Sequence, residues 1–115
     1  MATAESRITP RYKIETPFTF RRIEVPSEGE RHAKALDIST RGVYFTTNLA
    51  MRVGEVVELL LRMPRQVAGS NSPLRRFVGR VTHVDSNSLP QGQSGVGVHL
   101  LYWERYTSTS AAAGD

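Results

Sequence analysis

Apolar and polar positions alternate along much of this chain. In EVVELLLRMP (55–64), Val57, Leu59, Leu61 and Met63 fall on one side and Glu58 and Arg62 on the other. In SGVGVHLL (94–101), Val96, Val98 and Leu100 alternate with Gly95, Gly97 and His99. A period of two is the signature of strands buried on one face. Further strand-like runs are TPFTFRRIEV (16–25), RHAKALDI (31–38), GVYFTT (42–47) and RRFVGRVTHVD (75–85), and no 11-residue window carries an apolar stripe at helical spacing. Turn chemistry separates the runs. PSEGE (26–30) predicts a tight hairpin, LAMRVGE (49–55) a short connection, QVAGSNSP (66–73) a longer loop, and SNSLPQGQS (86–94) the link between the last two strands.

Six short strands at this spacing predict an all-β domain, a small antiparallel barrel or sandwich. Phe18, Phe20, Tyr44 and Phe45 are expected in its core. LYWERY (101–106) is expected to begin a short helix or to cover an open barrel end, with Trp103 and Tyr106 as the plug. Residues 1–6 and 107–115 read as flexible ends.

At 115 residues one domain is expected. The absence of cysteine excludes disulfides and thiolate chemistry and fits a reducing, cytoplasmic setting. The first residues have no apolar signal-peptide core and no stretch approaches 18 apolar residues, so neither a leader nor a membrane span is expected. Net charge is +4, and of the 15 basic residues only Lys13 and Lys34 are lysines. Arginine presents a planar fork of donors suited to phosphates and guanine edges. A GC-rich genome would produce the same bias, so position must decide.

Two motifs give that position. RITPR (7–11) places Arg7 and Arg11 four apart around Pro10, which stiffens the segment in a non-helical shape. Alone it also reads as a solvated basic linker paired with Glu5 or Glu15. After 25 further residues comes DISTRG (37–42) between two apolar runs. Alone it reads as a turn, satisfied by Asp37 and Ser39 with Gly42 supplying positive φ. Together the halves are complementary. Arginines match phosphates and the O6/N7 edge of guanine, an ionised Asp37 accepts from guanine's N1–H and N2–H₂ edge, and Ser39 can reach a phosphate or an exocyclic group. The ligand so described presents guanines and negative charge at once.

RxxxR followed by (D/N)xSxxG between two strands resembles the PilZ domain family, bacterial receptors for cyclic di-GMP. VGRVTHV and SGVGVHL also look like that family's final strands, and the likeness runs over about residues 7–102. The resemblance implies a six-stranded β-barrel with a flexible N-terminal strap carrying RxxxR and a short C-terminal extension. It implies that Arg7 and Arg11 grip phosphates and guanine Hoogsteen edges, that Asp37 reads a guanine donor edge, and that Ser39 and Gly42 shape the pocket. Where many members carry a further arginine before RxxxR this chain has Ser6, a position associated with whether one ligand or an intercalated pair binds. Arg41 can add a phosphate contact. His83 is expected on the face of Val81, opposite Val84, where it can stack on a base.

No nucleophile is paired with a base, so catalysis is not expected. His32, His83 and His99 lack metal-ligand spacing, and no cofactor is expected beyond the ligand cyclic di-GMP. Arg75, Arg76 and Arg80 read as a solvated strand face. The reading is a stand-alone cyclic di-GMP effector whose strap orders on binding and signals to a protein partner of a motility, pilus or exopolysaccharide system. Two alternatives stay open at this point: a PilZ-like adaptor that binds no nucleotide, and a small barrel for RNA or single-stranded DNA. The last needs exposed aromatics on one face, and nucleic acid is not expected.

Overall fold

A computed structural model of the chain describes residues 15–69, 73–85, 90 and 92–105. Six antiparallel strands, β1 (Thr16–Arg22), β2 (Arg31–Ile38), β3 (Gly42–Thr47), β4 (Val56–Arg62), β5 (Leu74–Asp85) and β6 (Ser94–Arg105), close into a barrel in the order β1-β2-β3-β6-β5-β4. The predicted alternation is what fills it. Val57, Leu59 and Leu61 of β4 and Val96, Val98 and Leu100 of β6 point inward with Ala35, Ile38, Val43 and Val81. Phe18, Phe20 and Phe45 form the aromatic centre, Phe45 lying edge-on to Phe18 at 5.1 Å and 4.9 Å from Phe20. Each buried phenylalanine contributes about 1.5–3 kcal/mol through burial alone.

Tyr44 departs from expectation. It sits on the outer face of β3, half-buried, because its neighbours Val43 and Phe45 take the inward positions. The barrel ends are also closed differently from the prediction. LYWERY does not cover an end: β6 continues as strand to Arg105, leaving Trp103 half-exposed, and Tyr106 lies outside the described residues. Met63 and Val67, the latter on the one-turn helix α1 (Arg65–Ala68), pack on the core at one end, and Met51 and Leu49 do so at the other.

The β1–β2 connection is longer than a tight hairpin. β1 stops at Arg22, and Pro26–Glu28 form a 3₁₀ turn. Arg22 accounts for this early end: its guanidinium donates to Glu28 at 2.7 Å and 3.1 Å, to Glu55 at 3.0 Å and to the Ala50 carbonyl at 3.2 Å. One side chain thereby ties the β1–β2 turn to the β3–β4 turn. Its hydrogen bonds to Glu28, and next to Glu55, hold the Arg22 guanidinium above its ordinary range. Arg22 in turn holds the Glu28 carboxyl below the usual carboxylate range.

Candidate functional site

Ladder register explains how the predicted residues reach one place. Ala35 of β2 pairs with Phe45 and points into the core, so strict alternation would send Asp37 inward as well. Instead the register shifts between Ala35 and Asp37, making Leu36 the extra residue of a β-bulge. Asp37 is turned to the outer face opposite Tyr44, and Ile38 takes the buried position. Re-aiming a side chain is the ordinary consequence of a bulge.

A second bulge does the same on β5. Val81 pairs with Val98 and is buried, while the next pairing is His83 with Gly97, leaving Thr82 as the extra residue. His83 is therefore outside the barrel, on the opposite face from Val81, and Val84 packs back against the core. His83 does lie opposite Val84, but the expectation that it shares a face with Val81 fails because alternation cannot anticipate an inserted residue. Thr82 donates its hydroxyl to the Gly97 carbonyl at 3.4 Å across the bulge.

The two bulges complete a single outer row across four strands: Asp37, Tyr44, Gly97, His83. Neighbouring strands lie about 4.8 Å apart, so the backbones of Tyr44 and His83 stand roughly 10 Å from each other with glycine between them. The next outer row contains Gly42, His99 and Arg80. Glycine keeps the floor low. A Cβ on Gly95 would fall 1.8 Å from the Tyr44 hydroxyl, so the tyrosine ring lies across that glycine.

The turn after β2 is built by Ser39. Buried, with 4% of its surface exposed, its Oγ accepts from the backbone N–H groups of Arg41 and Gly42, both at 3.1 Å. Ser39 N–H donates to the Gly42 carbonyl at 2.9 Å, and Leu100 N–H to that of Arg41 at 2.8 Å. Ser39 thus shapes the loop, and its oxygen's acceptor capacity is spent on backbone. Gly42 is not among the glycines with positive φ. Its bareness serves close approach instead, since a Cβ there would meet the Val98 carbonyl oxygen at 3.0 Å.

The result is an open cleft of about 590 Å³ on the outer face, within the roughly 300–1,000 Å³ typical of small-molecule sites. Asp37, Ser39, Arg41, Gly42 and His83, all singled out from the sequence, line it. Tyr44, Thr82, Gly97 and His99 join them and were missed. The signal for Tyr44 was present in GVGVHL (95–100): two glycines on the polar side of β6 leave a bare strip only if something flat lies on it. Chemically the cleft offers one carboxylate, one exposed guanidinium, two imidazoles and a phenol around a bare floor. Among the described residues no group of three metal-ligating side chains occurs. Arg7 and Arg11 lie outside the described residues.

A closed six-stranded antiparallel barrel whose outer-face cleft is opened by (D/N)xSxxG has the architecture of a PilZ domain. The chain belongs to that family: the PilZ domain model matches residues 5–105. Among solved structures it resembles the Bacillus subtilis Inhibitor of motility (MotI/DgrA), with a TM-score of 0.63 and 15% identity over 92% of this chain and 46% of that one. The chain thus spans about half the length of that structure, and at this identity the likeness concerns the fold. No curated protein matches the chain.

Proposed function

We propose that the cleft binds cyclic di-GMP and that the protein is a non-catalytic cytoplasmic effector, passing ligand binding on to a protein partner of a motility, pilus or exopolysaccharide system. The observation that carries this reading is the pair of bulges. Each spends a residue of regular pairing, and together they turn Asp37 and His83 into the same cleft as the DISTRG turn.

In this reading Asp37 accepts from the N1–H and N2–H₂ edge of one guanine. Tyr44 and His83 offer flat faces on either side of Gly97, and Arg41 faces a phosphate. Among the described residues the Arg41 side chain has no carboxylate partner, so its charge is available. Arg7 and Arg11 supply the remaining phosphate and Hoogsteen contacts. Chain reach permits it: β1 begins at Thr16, paired with Ala35 just two residues before Asp37. Arg11 lies five positions before Thr16, a span of at most about 18 Å. Each bidentate arginine–guanine contact is worth about 1–3 kcal/mol, offset by about 1–2 kcal/mol per residue ordered. Binding is therefore expected in the micromolar range, roughly 8 kcal/mol.

Isothermal titration tests the reading. Cyclic di-GMP should bind saturably to the full chain, with cyclic di-AMP and GTP as controls. Arg11→Ala and Asp37→Ala should each lose at least about tenfold in affinity, the loss of one good charged contact. Hydrogen exchange over residues 5–14 should slow on ligand addition. A flat titration of the wild type sinks the nucleotide reading and leaves the adaptor without nucleotide.

A further inference from the structure

A third bulge lies outside the cleft. Gly79 pairs with Leu100, but the next pairing is Val78 with Tyr102, so Leu101 is an extra residue on β6. Beyond it β6 leaves the barrel wall. Its pairing with β3 ends at His99, whereas its pairing with β5 runs on to Arg105. Among the described residues no strand pairs with the other edge of Leu101–Arg105. That edge presents main-chain N–H and C=O groups in a row, the template on which another extended segment adds.

Charged side chains of the kind that protect an edge stand only at its far end, Glu104 and Arg105, and its first three residues are apolar or aromatic. Leu101, Tyr102 and Trp103 are 45%, 56% and 50% exposed. There is no proline or lysine among residues 101–105. Arg75 and Arg105 stand directly opposite each other in the ladder, an arrangement of like charges that costs stability. Arg75 is fixed there by stacking on Trp103, 3.8 Å from the ring centroid. Arg76, by contrast, is neutralised by Glu58 at 3.2 Å. A carboxylate entering between Arg75 and Arg105 would relieve the repulsion.

We propose that the free edge of β6 over Leu101–Arg105 is the partner-docking surface, and that its occupant is an extended acidic strand of another protein. The strand's main chain continues the sheet. Its carboxylates fall on the face of Arg75, Trp103 and Arg105, and its apolar side chains on the face of Tyr102. The surface lies on the same strand as Gly97, Val98 and His99 of the cleft, a few residues further on. This rests on the partner half of the function proposed above, not on the nucleotide half.

Trp103 is the chain's single tryptophan, so intrinsic fluorescence reports this surface directly. The full chain, without nucleotide, is titrated with a short peptide alternating valine and glutamate, its valine–lysine counterpart, and the glutamate peptide N-methylated on alternate amides. The glutamate peptide should change Trp103 emission saturably and bind at least about tenfold more tightly than the lysine peptide. N-methylation should abolish binding, and Arg105→Glu should reverse the charge preference while leaving the circular dichroism unchanged. Amide shifts should concentrate on residues 101–105. Equal response to both peptides, no response in either, concentration-dependent dimerisation through the edge, or preferential quenching by oligothymidylate would each overturn the proposal. Because nucleotide is absent, failure here leaves the cyclic di-GMP titration to be judged separately.

Discussion

Two stretches of the barrel's outer wall face solvent and have been built in opposite ways. On β1, β4 and β5 the outer face is a neutralised charge ladder: Glu58 accepts from Arg21 at 2.6 Å and lies 3.2 Å from Arg76. On β2, β3, β6 and β5 the corresponding face holds glycines, two histidines, a tyrosine and Arg41 around an open cleft. Both faces alternate with the same kind of apolar interior. The inward residues specify a barrel, and what the outward residues do with their charge separates a wall from a site. A wall pairs its ions; a site keeps hydrogen-bonding capacity facing a hollow.

The largest expected effect comes from filling the bare strip, and its two glycines should respond differently. Gly95→Ala places a methyl where the Tyr44 ring lies, and forcing the ring away should cost about 1–3 kcal/mol. Urea unfolding checks it, and Tyr44→Ala in the same chain should recover most of the loss, giving a coupling that additive effects exclude. At Gly97 the nearest atom to an added Cβ is the His83 Cβ at 3.3 Å. Gly97→Ala should therefore fold within about 1 kcal/mol of wild type yet bind cyclic di-GMP more weakly, because the methyl stands on the cleft floor. Equal stability losses at both positions, with affinity unchanged, would place the cleft's function elsewhere.

The same glycines show where reading a sequence stops. β2 and β3 were bounded to the residue, and the inward set of β4 and β6 followed from period two, because burial on one face leaves its mark at every second position. DISTRG was legible because its turn chemistry is local. The bulges were not: an inserted residue changes no composition, and only the partner strand shows that Leu36, Thr82 and Leu101 have none of the regular pairings. Each bulge reverses the faces that alternation assigns beyond it, which is why His83 was set on the same face as Val81. Tyr44 was expected inside because aromatic residues usually are, although alternation with buried Val43 and Phe45 turns it outward. Where its ring then lies depends on a glycine some 50 residues away that no local pattern connects to it. Leu101, Tyr102 and Trp103 formed an apolar run that looked like a cover for the core, yet Met63 and Val67 had filled that end.

On the wall side the effects should be smaller. Glu58→Gln removes the carboxylate shared by Arg21 and Arg76, whose side chains are 35% and 39% exposed. At that exposure water screens most of the attraction, and the loss should stay at or below about 1 kcal/mol. It should shrink further at high salt, where the Debye length falls to about 3 Å. Cyclic di-GMP affinity should not move. A change in affinity from Glu58→Gln would erase the distinction between wall and site.

The smallest effect, and the one with a defined pH sign, belongs to the Arg22–Glu28–Glu55 tie between the turns. Arg22 holds Glu28 below the ordinary carboxylate range, chiefly by its hydrogen bond. A carboxyl depressed in the folded state contributes stability that is present above its unfolded pKa, about 4.3 for glutamate. That contribution is lost as pH falls through the lower, folded value, because protonation then breaks the pairing. Glu28→Gln should therefore lower the Tm slightly at neutral pH, and the gap from wild type should close as the solution is acidified below about pH 4. Ligand affinity should be unchanged throughout, since the tie lies among turns that do not line the cleft. A gap that widened with acid would mean that Glu28 is held by burial rather than by Arg22, and the tie between the two turns would have to be assigned to Glu55 alone.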